Sequence, residues 1–434
     1  MDSNWPPLET LQSSLIGLVV FTAAIAPLAV PSVLGAVILI TFAQDVSDYR
    51  PLLPQVRNFR NNPATPAVLL FLFYGFASCL WSDRPDYSFS SLAQATLIGL
   101  GSWYVAASLA RRLPTLDRVR QTRFTRAVPL ASIFVGLYFL LDGLTSDGAT
   151  LLFVRNAPWL FDGFENTILK DATGYAVGLH EIYFNRTAAA LTMALGGLAA
   201  ALRFWPLRTI GNTLGVLAVV ILLAISLKSG SATALFAAAA GVGCFVLANW
   251  SSYATMRILQ ILFLALTIGA IPLATVPKAF KLETNPALPF SFQERVIIWD
   301  DLARLAFDKA VTGIGINSIK FRKSSAAEVN PTQPGNSTSR TYWHPHNGYL
   351  QVWLELGIVG AILFSLAGYL LLGRIGQLTR SFQPFAAGLA GGTMAMIGPG
   401  WGLWQPWLLA AIGYGWLTLV MVRFEFEADD SRTA

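Results

Sequence analysis

The feature that most limits what this chain can become is a succession of about twelve apolar runs, most of them close to the roughly 17–25 residues that a ~30 Å hydrocarbon core demands of a spanning helix. Backbone amides that enter lipid must satisfy one another, so such runs fold as helices. They fall at ~12–29, ~32–44, ~65–81, ~91–110, ~127–146, ~186–202, ~209–226, ~231–249, ~257–278, from just after His346, ~384–398 and ~402–422. A chain of 434 residues that is 54% hydrophobic and 12% charged has too little polar surface to cover itself in water. The expected fold class is therefore an all-α polytopic membrane protein with about 12 transmembrane helices. Residues 1–434 form a single integral-membrane domain, and the polar stretch 279–346, between spans nine and ten, is a large loop of that same domain.

Charge sets the expected orientation. Arg50, Arg57 and Arg60, the block Arg111, Arg112, Arg118, Arg120, Arg123 and Arg126, the pair Arg203 and Arg208, then Arg257, and finally Arg374 and Arg380 all fall between spans on one side of the alternation. Such an excess marks cytoplasmic loops, with both termini inside and 279–346 outside. Between two apolar spans, the Arg111–Arg126 block reads as a topology determinant facing anionic headgroups, and nucleic acid is not an expected partner. The N-terminal MDSNWPPLETLQ has no Lys or Arg before the first apolar run, so the first helix is expected to stay as an anchor. Cys79 and Cys244 fall inside spans and read as packed thiols.

The polar chemistry gathers in the outer loop. The chain has three histidines, His180, His344 and His346, all on the side assigned to the exterior. Two of them flank one proline where the loop meets span ten, in HPHNGYLQVWLELGIVG. An imidazole with an unperturbed pKa of ~6.5 can take a proton from a hydroxyl near neutral pH. Upstream, SFQERVIIWDDLARLAFDK spaces Val296, Ile297, Leu302 and Leu305 as an amphipathic helix lying on the membrane surface or on the tops of the spans. GIGINS (Gly313–Ser318) breaks it, and SSAAEVNPTQPGNSTSRT reads as a flexible lid. A pyrophosphate ligand would need fixed cations at this face, and Arg295 and Lys228 have the right depth. The ordinary roles for these two are pairing of Arg295 with Glu294 or Asp300, and snorkelling of Lys228. Metal-ligand spacing, a P-loop and a nucleotide-binding glycine fingerprint are all missing, so no metal and no cofactor are expected.

His346-Asn347, nine residues, then Gly357 and Gly360 resembles the H-N-x9-G-x-x-G signature of the O-antigen ligase and Wzy-type polysaccharide polymerase superfamily. LWSDRPDYS after the third span and ERVIIWDDLARLAFDKAVTGIGINSIKF, which resembles an R-x-x-x-W…G-x-G segment, are similar to the same family. The resemblance implies a GT-C-like membrane glycosyltransferase in the bacterial inner membrane, its site facing the periplasm. It would move a glycan from undecaprenyl pyrophosphate to an acceptor sugar, lipid A core or a lipid-linked repeat, with inversion and without a metal. It further implies His346 as the base on the acceptor hydroxyl and Arg295 on the donor pyrophosphate; Lys228, Asn347 and His344 complete the substrate-binding candidates. Many members carry an arginine in the turn where this chain has Lys228, and an ammonium does not reproduce a bidentate guanidinium. Trp343, Tyr342 and Tyr349 offer aromatic faces to sugar rings. The bilayer is a partner, and other polysaccharide-assembly proteins are possible ones. The rival class is a transporter or lipid-linked glycan flippase, for which ionisable residues within spans would be expected.

Overall fold

The computed structural model describes residues 8–47, 60–161, 165–322 and 342–433. It is an assembly of helices: α1 Leu8–Ile25, α2 Val30–Ser47, α3 Thr65–Ser78, α4 Pro85–Arg112, α5 Arg118–Leu144 and α6 Gly148–Asn156 come first. Then follow α7 Asn185–Arg203, α8 Arg208–Lys228, α9 Ala232–Ile268, α10 Ala270–Ala279 and α11 Phe290–Asp308. The chain closes with α12 Gly348–Ile375, α13 Gln383–Ile397, α14 Pro406–Met421 and α15 Arg423–Thr433. One short antiparallel hairpin, β1 Ile168–Lys170 with β2 Ala176–Leu179, departs from the all-helical expectation and sits in the connection between α6 and α7.

The protein is an all-α polytopic membrane protein. Among the described residues, 8 helices are long and apolar enough to cross a bilayer, and Thr65–Trp81 is a shorter apolar one. The expected span ~231–249 and the first part of ~257–278 run together in α9, which is 37 residues long, and the rest of the second falls in α10. At ~1.5 Å per residue, α9 extends about 55 Å, well beyond a ~30 Å hydrocarbon core. The helix breaks at Ser251 (φ −151°, ψ 95°), between the exposed Trp250 and Tyr253.

Small residues bring the helices together, as they do where lipid gives no hydrophobic drive to association. A Cβ at Gly388 would lie 3.0 Å from the Gly241 carbonyl, so α9 and α13 pack almost backbone to backbone. Ion pairs then tie one end of the assembly: Arg118 to Glu425 at 3.0 Å, Arg203 to Asp429 at 3.4 Å and Arg112 to Glu9 at 3.7 Å. Arg112, Arg118 and Arg203, three of the arginines expected on one side of the membrane, are thus tied at one end; Arg50 and Arg57 lie outside the described residues. Helices α4, α7 and α14 finish there and begin at the opposite end, where the histidines are.

The expected amphipathic helix is α11. It buries Val296, Trp299, Leu302, Ala303 and Ala306 against Ala274 of α10 and Leu350 and Leu354 of α12, so it lies on the tops of the spans. The stretch expected to form a lid lies outside the described residues.

Candidate active site

His344-Pro345-His346 crosses the outer end of the assembly immediately before α12. Its two imidazole rings lie 4.1 Å apart, centroid to centroid. The hydrogen bonds assign them opposite tautomers. A carbonyl oxygen can only accept, so His346 Nδ1, 3.0 Å from the Gly400 carbonyl, carries the proton and leaves its Nε2 lone pair open. His344 Nδ1 accepts from the backbone N–H of His346 at 3.3 Å, so His344 carries its proton on Nε2 and presents a donor. The turn is tight enough to place His346 at φ +52°, a conformation that a non-glycine residue keeps only when its surroundings hold it. Trp299 provides part of that hold, since its indole N–H donates to the Pro345 carbonyl at 3.0 Å.

Arg295 is one helical turn before Trp299 on α11, so both side chains leave the same face. Trp299 therefore fixes where Arg295 acts. Burial lowers the His346 pKa to about 4, the Arg295 charge adds to that, and the hydrogen bond to Gly400 partly opposes it. The His344 pKa falls further, through burial and then through the charges of His346, Lys320, Arg186 and Arg295. Both imidazoles are thus neutral at neutral pH. Arg295 itself has a lowered pKa, because it is buried, and the Glu294 charge partly opposes that. Asp300 takes Lys278 and Arg304, each at 3.1 Å.

The helix that follows the histidines is built to be interrupted. Asn347 caps α12, its Oδ1 accepting from the Leu350 N–H at 3.1 Å. At Gly357 (φ +62°, ψ −161°) the helix breaks, which frees two carbonyls and one amide. The segment after α11 meets all three: Ile314 N–H donates to Leu354 O at 2.9 Å, Gly315 N–H to Glu355 O at 2.9 Å, and Ile358 N–H to Ala310 O at 2.7 Å. Gly360 leaves room for Leu356, which folds back across the break. The same segment is fastened on its other side to the start of α4, by Ser88 Oγ to Ile316 O at 2.5 Å and by Asn317 Nδ2 to Ser91 Oγ at 2.6 Å. The stretches LWSDRPDYS and GIGINSIKF are therefore one contact.

Lys228 does not join this cluster. Its ammonium pairs with Asp147 and lies 4.7 Å from the Phe184 ring, and its charge is not among those that act on either imidazole. Of the aromatic faces expected for sugars, Tyr342 and Tyr349 are only 6% and 3% exposed, and the Tyr349 hydroxyl donates to Met394 O at 3.0 Å. Trp343, at 76%, is the exposed one. His180 caps a short turn through Ile182 N–H at 3.3 Å.

Three residues were missed in the sequence. Arg186, in the first turn of α7, and Lys320 both bear on His344. Nothing in NRTAAAL or INSIKF marks either residue beyond its charge at the outer end of a span or loop. Glu355 did carry a signal, an acid inside an apolar span. It is fully buried, accepts from Gln351 Nε2 at 2.9 Å and Trp404 Nε1 at 2.5 Å, and so ties α12 to the Gly398–Gln405 turn that holds His346.

Residues 217–365 match the family model described as O-antigen ligase. Through this segment the chain is similar to the O-antigen ligase superfamily. The segment runs from α8 into α12 and contains Lys228, Arg295, His344, His346, Asn347, Gly357 and Gly360; Arg186, Gly400 and Trp404 lie outside it. Similar proteins named "Putative polysaccharide ligase" occur in Rickettsia conorii, 30% identical over 151 residues, and Rickettsia typhi, 32% identical over 142 residues. These similarities cover 34% and 32% of this chain and 34% and 33% of the relatives, so the matched segment spans about a third of their length. The matched segment thus holds the imidazoles and the break in α12, while α7 and the Gly398–Gln405 turn, outside it, supply Arg186, Gly400 and Trp404.

Proposed function

We propose that the protein is a glycosyltransferase of surface-polysaccharide assembly in the bacterial inner membrane, with about twelve crossings, a GT-C-like arrangement and its active site facing the periplasm. It moves a glycan from undecaprenyl pyrophosphate to a hydroxyl of an acceptor sugar, on lipid A core or a lipid-linked repeat. His346 Nε2 takes the hydroxyl proton as the acceptor oxygen bonds to the donor's anomeric carbon. The bond from that carbon to the phosphate oxygen breaks, and undecaprenyl pyrophosphate leaves with the electron pair. Attack from the face opposite the leaving group inverts the anomeric centre, and no metal is required because Arg295 and Arg186 meet the developing charge.

The observation that carries this reading is the tautomer pair: an imidazole with an open Nε2, fixed by a backbone carbonyl and flanked by buried cations. A base with a pKa of about 4 is weak for the task. The donor corrects this, since its pyrophosphate neutralises Arg295 and puts negative charge beside the ring, both of which raise the His346 pKa. His344, as an N–H donor, is suited to hold a substrate oxygen.

The test is His346→Ala in a strain lacking the chromosomal copy, with surface-glycan length read on gels and protein abundance by blot. Loss of transfer at normal abundance is expected. An unchanged glycan pattern sinks the catalytic reading and turns attention to transport of labelled lipid-linked donor.

A further inference from the structure

A small polar pocket of about 120 Å³ opens beside His344, between the start of α4 and the Gly398–Gln405 turn. We infer that this pocket is the acceptor-saccharide subsite, a reading that rests on the transferase function proposed above. Its volume is below the ~300 Å³ of sites that envelop drug-sized ligands, so it suits one ring of a longer glycan.

Three features of the wall select a sugar over the donor's pyrophosphate. First, the wall is largely neutral: neither Arg295 nor Arg186 lines it, and its cation, Lys320, is held by the Tyr87 hydroxyl at 2.6 Å. A pyrophosphate needs unsatisfied guanidinium donors, whereas a sugar hydroxyl needs neutral donors and acceptors together. Second, such groups are present with capacity to spare. Among the described residues, Gln94 and Ser90 make no side-chain hydrogen bond, and Gln405 uses only its Oε1, which accepts from Trp407 Nε1 at 2.7 Å. Third, Trp343 brings exposed indole surface to the same pocket, and the buried Trp404 forms part of its wall. Trp404 is clamped through its ring nitrogen by Glu355, so its plane is fixed before any ligand arrives.

The position also fits. His344 lines the pocket and lies in ring contact with His346, whose pKa responds to Arg295. Of the cations that act on the two rings, Arg295 and Arg186 lie outside the pocket and only Lys320 lines it, so the guanidinium groups and the hydrogen-bonding wall are on separate sides of the imidazole pair. A reaction that joins an acceptor hydroxyl to a pyrophosphate-linked carbon needs that division of polarity.

Calorimetric titration of the full-length protein in detergent tests the assignment, using two saccharide probes. One is free core oligosaccharide from the lipopolysaccharide of a strain lacking this gene; the other is the repeat oligosaccharide released by mild acid from its accumulated lipid-linked donor. We expect one of the two to bind saturably, which identifies the acceptor class. Gln94→Ala, on the exposed start of α4, should weaken binding about tenfold, the scale of one lost hydrogen bond to a polar ligand. Ser90→Phe should abolish binding by filling the pocket, with size-exclusion profiles reporting that both variants remain folded. Binding of neither probe, or wild-type affinity in both variants, overturns the inference. A protein that binds with this sensitivity but transfers nothing keeps the pocket and loses the proposed function; one that transfers while both variants bind normally loses the pocket alone.

Discussion

Replacing Gly357 by alanine tests whether the break in α12 is what assembles the site. At φ +62° and ψ −161°, the residue occupies a region open essentially to glycine, and strain there costs about 1–3 kcal/mol. A Cβ would also overlap the Val311 carbonyl, in the segment that pairs with the broken helix. Relief requires that segment to move away, which puts at risk the three bonds Ile314–Leu354, Gly315–Glu355 and Ile358–Ala310, each worth about 0.5–1.5 kcal/mol. The combined cost is roughly 2.5–7.5 kcal/mol, a large share of the 5–15 kcal/mol of a typical domain. Thermal midpoints of detergent-solubilised protein, followed by size exclusion, measure it. Gly99→Ala is the control, because a Cβ at Gly99 meets nothing within 4 Å. Gly357→Ala should lower the midpoint strongly and remove transfer even at temperatures where the protein stays folded, since Arg295 and Trp299 ride on the displaced helix. A Gly357→Ala midpoint equal to that of Gly99→Ala would refute the reasoning.

Three further outcomes follow from the same geometry. The His346 pKa is lowered to about 4, so the ring is neutral above that value and protonated below it. The acid limb of kcat/KM, which reports the free enzyme, should therefore fall near pH 4, and that of kcat should lie higher once pyrophosphate is bound. Arg295→Gln should move the kcat/KM limb upward; a limb that stays in place in this variant removes Arg295 from the imidazole's surroundings. Trp299→Phe deletes the donor to the Pro345 carbonyl and should cost about 1 kcal/mol, read as a roughly fivefold fall in kcat with donor KM little changed. Arg186→Ala should reduce transfer about a hundredfold or more by removing a charge-assisted phosphate contact, whereas Lys228→Ala, already paired with Asp147, should cost less than about tenfold. The reverse order would return Lys228 to the donor site.

The membrane class was legible because length and apolarity are additive along a run of residues, and the runs met helices throughout. The exact boundary between two spans was not, since α9 continues through Asn249 to Ser252 and breaks at a single residue whose dihedral angles leave no compositional trace. The loop histidines and Arg295 could be picked out because imidazoles and guanidinium groups are few at that face. Lys228 was placed beside them by depth alone, and depth does not fix direction around a helix axis; Asp147, 81 residues away in sequence, takes its ammonium instead. Tyr349 was read by exposure at a helix start, but Gly348 lets that start press against the end of α13, where a Cβ would lie 2.8 Å from the Ile397 carbonyl, and the ring is drawn inward.

Glu355 shows why counting charges within spans was not enough. A scarcity of buried ions argued for chemistry at the surface, yet this one acid is buried completely and still belongs to the surface site. Its oxygens hold Gln351 and Trp404, and Gln351 in turn accepts from the Leu403 N–H at 2.8 Å. The turn so fixed contains Gly400, whose carbonyl selects the tautomer of His346. An acid nine residues after an imidazole can thus set that ring's tautomer without touching it, through a tryptophan, a glutamine and a glycine carbonyl. That path crosses two separate stretches of sequence, and only packing brings them together.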